Sequence, residues 1–387
     1  MSIIKDFWGY RRENGDVGIR NHVAVVSIMD NVNPLGRQIA SLVEGAIFIP
    51  TIAGRGQFGQ DKELNEKTML GLGKNPNIAA LLVVSLEPSS ASDYADKISE
   101  INKPAKSVSV QEAGSTVDAI ARGVKELARL KIQASEIQRE KCSVKDLIIG
   151  VECGGTDTTS GITANPIIGR VADSLVDAGG RVVLSETSEF MGAEHVLSKR
   201  AANKEIEENI INAVKRIEDD AISRGVDIRG ANPVPDNIRG GITTIEEKSL
   251  GAIMKGGSKT IQDFLSYAER PTKTSLNIMD TAAPAVESIT GLSAGGCQLI
   301  LFSTGVGNSI GHMVTPTVKI SGNPNTAKSF AINLDVDLSD VTLGKAKMED
   351  RVSELWTEVI KYSSGKKTCS EVLIQTENAP SKIQPTV

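Results

Sequence analysis

Aromatic residues make up only 3% of this 387-residue chain, and histidine occurs three times. With so few rings to fill it, the core has to be aliphatic. Cysteine is sparse as well. Cys142, Cys153, Cys297 and Cys369 stand far apart without C-x-x-C spacing, which excludes a zinc knuckle and a disulfide framework. Free thiols fit a reducing compartment. The N-terminus, MSIIKDFWGYRREN, lacks the apolar stretch and small-residue cleavage site of a secretory signal, so a cytoplasmic protein is expected. No window of about 18 apolar residues is present to cross a membrane. Positive charge is not in excess: 43 Lys and Arg face 48 Asp and Glu, for a net charge of −5, and the basic residues are scattered. That argues against a nucleic-acid surface and leaves a small molecule as the expected partner.

Glycine, by contrast, occurs 36 times. Apolar, β-branched runs recur at residues 22–28, 79–86, 107–110, 147–151, 181–185, 276–279, 298–303 and 331–334, and their unbroken apolarity suits parallel strands covered on both faces. Between them, residues 34–43, 116–130, 166–178 and 202–223 carry helical periodicity. The alternation predicts an α/β fold of two Rossmann-like lobes with mainly parallel sheets. Its active site is expected between the lobes, at the C-terminal ends of strands. The boundary is placed before Cys142's strand region, giving an N-terminal lobe at 1–142 and a catalytic lobe at 143–387. Residues 227–241 (DIRGANPVPDNIRGG) predict a long ordered loop, and loops of that length are usually functional. The tail after Glu377 is expected to fray.

Five stretches concentrate chemistry. In VECGGTDTTSGITANP (151–166), a Gly-rich turn from strand to helix aims N–H groups and hydroxyls at a point where the helix dipole favours an anion. Its spacing is neither GxxxxGK[ST] nor GxGxxG, so a carboxylate or sulfonate is the expected anion, held by Thr156, Asp157 and Ser160. Cys153 is either a ligand-reaching thiolate or a buried thiol in a capped turn. SETSEFMGAEH (185–195) places Glu186, Glu189, Glu194 and His195 behind a strand, a donor set suited to Fe²⁺, Mn²⁺ or Mg²⁺, or a solvated helix start. In GGITTIEEKSLG (240–251), Lys248 is a candidate base or part of an exposed, charged helix start. Gly305 and Gly307 in STGVGNSIGH (303–312) permit close backbone approach, and His312 is a second acid–base candidate. Arg20 and Arg55, the latter between glycines, suit a bidentate grip on an anionic substrate. A nucleotide-binding protein is the competing class, set aside because no complete phosphate-binding fingerprint is read from the chain.

The stretches GYRRENGDVGIRN, CGGTDTTSGITANP, SETSEFMGAEH, NPVPDNIRGGITTIEEKSLGAIMKGG, MDTAAPAVESITGLSAGG and FSTGVGNSIGH together resemble the altronate/galactarate dehydratase family, which also takes in the large subunit of sulfolactate sulfo-lyase. The likeness covers about residues 7–370. It implies a lyase acting on a small anionic hydroxy acid with a divalent metal, typically iron or manganese, and without NAD or flavin. Carried onto this sequence, it makes Cys153, Glu186 and His195 the metal ligands, Lys248 the base with His312 and His195 as alternatives, and Arg20, Arg55, Thr156, Asp157, Ser160, Gly305 and Gly307 the substrate contacts. The sugar-acid dehydratases usually carry a small SAF-type domain on the same chain, whereas this sequence opens at GYRRENG. That predicts a separate small SAF-domain subunit, and a homo-oligomer is expected. QFGQDKEL (57–64) and Leu86-Glu87-Pro88 look more like the sulfo-lyase, and Val306 stands where the family often has Arg. The expected reaction is loss of sulfite from sulfolactate to give pyruvate, with sugar-acid dehydration to a 2-keto-3-deoxy acid as the alternative. A non-catalytic subunit dependent on its partner is the third reading.

Overall fold

The computed structural model describes residues 4–384. Two short strands come first, β1 (Asp6–Arg11) and β2 (Val17–Gly18). They are followed by β3 (His22–Ser27), β4 (Ala46–Ile49), β5 (Ile78–Ser85) and β6 (Ala105–Ser109). β7 (Glu140–Ser143) then leads to β8 (Ile148–Cys153), β9 (Arg181–Leu184), β10 (Ile261–Leu265), β11 (Ser275–Met279), β12 (Leu299–Ser303), β13 (Thr317–Ser321) and β14 (Val336–Asp337). β3 to β6 form a four-stranded parallel sheet in the order β4-β3-β5-β6. β8 to β14 form a seven-stranded parallel sheet in the order β10-β11-β9-β8-β12-β13-β14. The protein is thus two α/β lobes.

The physical basis of both sheets is aliphatic burial. Every residue of β5, β8, β11, β12 and β13 is buried, as strands covered by helices on both faces must be. The helices begin where their sequences cap them. Ser115, Asn203 and Thr244 each accept an N–H from the first turn of Thr116–Ser135, Lys204–Ser223 and Ile245–Ile253. Proline sits in the first turn of Asn33–Ser41, Pro88–Ser99 and Asn165–Asp177, where its missing N–H costs nothing.

Three expectations change. Residues 331–334 are not a strand: Ala331–Asn333 is a tight turn with Ile332 73% exposed, and the edge strand β14 follows it. Part of the segment counted with the N-terminal lobe, residues 6–19, also packs on the large sheet. β1 pairs with β7, and Phe7, Val17 and Ile19 are buried in the same cluster as Ile149 and Val151. Residues 378–384 of the tail do not fray, and the last three lie outside the described residues. The Asn378 amide donates to Pro50 O, Ala379 N donates to Thr290, and the N–H groups of Ile383 and Gln384 donate to the Asp61 carboxylate. The tail straps the large lobe to the small one because Asp61 and Pro50 offer acceptors that its own backbone lacks.

Arg20 shows why the strap region is rigid. Its guanidinium makes a bidentate pair with Glu371 at 2.7 and 2.8 Å and donates to the carbonyls of Ile19, Tyr362 and Lys366. Every N–H direction faces protein, so none is left for a substrate, and the role expected of Arg20 passes to the joint between the start of the chain and its last helices. Removing one partner strands the other charge in a nearly dry site. Arg20→Met is therefore expected to cost about 3 kcal/mol or more of unfolding free energy in urea titrations; an unchanged midpoint would show the pair to be dispensable.

Candidate active site

β8 ends at Cys153, and the chain then turns through Gly154, Gly155 and Thr156 into a π-helical turn, Ser160–Ala164, before the helix Asn165–Asp177. Such turns recur at functional sites. Asp157 organises the turn by accepting from Thr159 Oγ1, Ser160 N, Ser160 Oγ and Asn323 Nδ2. With its carboxylate committed in this way, Asp157 shapes the loop, as does Ser160. The 305–307 loop packs on the same turn, because the N–H groups of Gly305 and Val306 both donate to Gly155 O. A Cβ at Gly305 would lie 2.2 Å from Asp157 Cγ, so only glycine fits.

Glu186, at the end of β9, faces Cys153. Its backbone is left-handed, φ 69° and ψ 63°, which costs a non-glycine residue about 1–2 kcal/mol. The strain is held by bonds on both sides: Glu186 N donates to Thr281 Oγ1 at 2.7 Å, and the carboxylate accepts Cys153 N at 2.9 Å. Lys255, which is wholly buried, brings its ammonium to 2.8 Å from Glu186 Oε2 and 3.3 Å from Cys153 Sγ. Strain of this kind persists where the surroundings over-determine it, and it clusters at functional sites.

Burial dominates the electrostatics. It pushes the Cys153 thiol up, with the Glu186 charge adding to it and Lys255 opposing, so sulfur stays protonated. Burial and the neighbouring Glu186 charge push Glu152 well above the usual carboxylate range. Glu152 accepts the Ser288 hydroxyl at 2.6 Å and that of Ser185, while its Oε1 has no partner. Glu186 is also raised by burial, against the pull of Lys255. For Lys255, burial works against the charge, but the acidic groups around it outweigh that and its pKa rises. The centre therefore holds one ammonium–carboxylate pair beside a thiol and a neutral acid.

A cavity of about 320 Å³ opens onto this centre. Cys153, Gly154, Gly155 and Thr156 form one wall, Glu186 and Glu189 another, and Asn308 enters from the loop after β12. Lys248 closes it, with Nζ 3.0 Å from Glu189 Oε1 and 2.9 Å from Asn232 Oδ1. The loop 227–241 folds into two short helices, Ile228–Ala231 and Pro235–Arg239, and covers the cavity with Val234, Asp236 and Asn237. Asn237 anchors it by donating to Thr156 O at 2.8 Å. The walls come from the ends of β8, β9, β11 and β12, where chain leaving the central strand β8 diverges to either side of the sheet, the place at which open α/β sheets hold ligands.

Of the residues singled out in the sequence, Cys153, Glu186, Lys248 and Thr156 meet in this cavity, and Asp157, Ser160, Gly305 and Gly307 support its loops. Arg20 does not reach it, and Arg55 lines a separate cavity in the small lobe. His195 is exposed on the short helix Glu194–Ser198 and does not line the cavity. His312 is 2% exposed, with Nδ1 accepting Val314 N and Nε2 facing Asn378 Oδ1. Lys255, which stands just after the stretch that carries Lys248, is a site residue that sequence reasoning missed. The signal is there in retrospect: Lys248, Ala252 and Lys255 continue the buried stripe of that helix, a place where an unpaired lysine is not tolerated. Cys153, Glu186 and His195 do not fit a metal site as arranged. The Lys255 ammonium stands where a cation shared by Cys153 and Glu186 would stand, and no group of three or more His, Cys, Asp or Glu side chains is gathered for a metal among the described residues.

Two family profiles match the chain: "D-galactarate dehydratase/Altronate hydrolase, second domain" over residues 9–135 and "D-galactarate/Altronate dehydratase, C-terminal" over residues 144–386. A (2R)-sulfolactate sulfo-lyase subunit beta from Chromohalobacter salexigens is 36% identical over 95% of this chain and 95% of its own. Altronate dehydratase from Escherichia coli is 34% identical over 94% of this chain and 74% of its own, and galactarate dehydratase (L-threo-forming) from the same organism is 28% identical over 93% and 73%. No helix among the described residues is long and apolar enough to cross a membrane.

Burial lowers His312 to about 4, so in the fold it stays neutral at pH values where the unfolded chain takes up a proton. The stability tied to it is intact above the unfolded pKa of about 6.5 and falls as pH drops toward the folded value. Between pH 6.5 and 5 the loss from this residue is roughly 2 kcal/mol. Urea titrations across that range should show the decline, and His312→Gln should flatten it; an equal slope in the variant would clear the residue of the effect.

Proposed function

We propose the following of a lyase whose chain belongs to the D-galactarate/altronate dehydratase family: it removes the proton α to the carboxylate of a 2-hydroxy acid and expels the group on the next carbon. The observation that carries this reading is the strained Glu186, a carboxylate raised by burial, lining a small cavity and held against Lys255. A carboxylate that burial makes more basic is better suited than an ordinary one to take a proton from a weakly acidic C–H. Lys248 was the base expected from sequence. Its Nζ is bound by Glu189 and Asn232, and an ammonium in that setting suits the substrate carboxylate better than it suits proton abstraction.

In the proposed step the substrate carboxylate lies between Lys248 and the N–H groups of Gly155 and Thr156, the Gly154 N–H being taken by Ser303 O. Glu186 takes the α-proton, and the C–H electron pair becomes the double bond to the β-carbon. The bond from the β-carbon to its substituent breaks with its pair going to the leaving group. The enol left behind recovers a proton at carbon to give the 2-keto acid. Lys255 holds Glu186 in place and balances the charge that passes through it. Asn237 and Asn308 stand within the cavity to orient hydroxyls.

For the substrate we favour 3-sulfolactate, with sulfite leaving and pyruvate formed. The support is the full-length likeness to a (2R)-sulfolactate sulfo-lyase subunit beta and a cavity at the small end of the usual range for ligand pockets. That relative is a subunit beta, so a second subunit is the expected partner here, and we take it to be a small SAF-type chain. Sulfolactate, altronate and galactarate should be offered to the chain alone and with such a partner, with anaerobic Fe²⁺ and without it, following sulfite and keto acid together. Sulfite and pyruvate in equal amounts is the expected result; keto acid from a sugar acid with no sulfite from sulfolactate reassigns the protein to the dehydratases. Glu186→Gln is expected to lower kcat by about 10³-fold with KM little changed and to abolish solvent-deuterium exchange at the α-carbon. Exchange at the normal rate in that variant would remove Glu186 from the role of base.

A further inference from the structure

The small lobe has a crevice of its own. In the order β4-β3-β5-β6, the chain leaves β3 for the helix Asn33–Ser41 on one face and leaves the adjacent β5 for Pro88–Ser99 on the other. Divergence of this kind opens a cleft at the strand ends. A cavity of about 480 Å³ lies there and shares no lining residue with the Glu186–Lys255 cavity. One wall is the loop Gly54-Arg55-Gly56-Gln57-Phe58-Gly59, which carries the complete G-x-G-x-x-G spacing and corrects the reading that the chain has no phosphate-binding fingerprint.

On its own that spacing is weak, but its surroundings supply what a phosphate loop needs. A Cβ on Gly54 would lie 2.5 Å from Ile28 O, so the loop packs tightly on the turn after β3. Gly56 and Gly59 have φ of 72° and 54°, and nothing lies within 4 Å of a Cβ built on Gly59. Gly59 opens the helix Gly59–Lys74, whose N-cap, Phe58, offers no side-chain acceptor to the first turn. Glu87, at the end of β5, lines the same cavity, where the fingerprint calls for an acid to take a ribose hydroxyl.

Asn65 is the independent sign of a ligand. It lines the cavity and is 8% exposed, its amide oxygen is buried without a partner, and among the described residues it forms no hydrogen bond. An unpaired buried amide is costly unless something else pairs with it. An amide presents a donor and an acceptor side by side, the pattern that reads the N6 and N7 edge of adenine. Met29 and Met69 supply apolar wall for a flat ring, and Arg55, held only loosely by Glu87 at 3.5 Å, is available to a phosphate. Lys62 and Lys97 are balanced by Glu66 and Asp93, which favours one phosphate over three.

We propose that this crevice binds adenosine monophosphate or a closely similar purine nucleoside monophosphate. The phosphate lies on the 54–59 loop with Arg55, the ribose is near Glu87 and the base pairs with Asn65. Calorimetric titration of the intact chain with AMP tests this, with adenosine, inorganic phosphate and GMP as separate arms. Saturable one-to-one binding is expected, weakened about tenfold or more by Arg55→Ala and by Asn65→Ala, with adenosine and phosphate each weaker than AMP by a similar factor. Both substitutions should keep the wild-type circular dichroism spectrum. The proposal is overturned by the absence of saturable AMP binding at millimolar concentration, by inorganic phosphate binding as tightly as AMP, or by binding that neither substitution alters. The titration needs no turnover, so its outcome is independent of the lyase reading.

Discussion

One buried ion pair governs the large lobe. Lys255 and Glu186 meet at 2.8 Å, both almost wholly buried, and neither would be tolerated there alone. Glu186 holds a left-handed backbone because Thr281, Cys153 and Lys255 each take one of its polar groups. Lys255 in turn is delivered by the end of the helix Ile245–Ile253, which also carries Lys248 to Glu189. The two lysines thus fix the helix against the sheet edge at two points, and the pocket is the space left between them.

The parallel sheets were legible because their strands are buried on both faces and so read as unbroken aliphatic runs, as in β5 and β12. β4, β10 and β13 were not, for differing physical reasons. β13 is buried but carries Thr317, Lys319 and Ser321, polar residues that interrupt the apolar run: the two hydroxyls bond to backbone two residues away, and the Lys319 ammonium lies 4.8 Å from the Phe302 ring centre. β10 is an edge strand with half-buried polar positions, and β4 is an edge strand of only four residues, AIFI, three of them half-buried, too short for a distinct pattern.

Legibility at the site followed the same rule. Cys153 and Glu186 sit at strand ends, where a strand assignment alone puts them on one edge. Lys255 and Asn237 come from loops and helices whose approach to that edge depends on packing. Arg20 and His312 carried the residue types of a binding site, but type says nothing of whether the polar atoms are already taken, and in both cases they are. The glycine loop at 54–59 shows the opposite case: its G-x-G-x-x-G spacing is complete in the sequence, but its meaning depends on the buried, unpaired Asn65 that only packing brings beside it. Family likeness, carried by long motifs, identified the chemistry earlier than any single residue did.

The strap formed by residues 378–384 joins features otherwise separated by the whole length of the chain. Asn378 touches His312 of the large lobe and Pro50 of the small one, and the backbone beyond it ends on Asp61. Any rocking of one lobe against the other must break these bonds as well as the buried ones that Asn75 and Asn77 make to the carbonyls of Ser293, Cys297, Gln298 and Val314, so part of the joint lies in a segment of a few residues that belongs to neither sheet. The segment that ties the two halves together thus follows both of them in the chain, and it finds its acceptors on Pro50 and Asp61 only once the small lobe is folded.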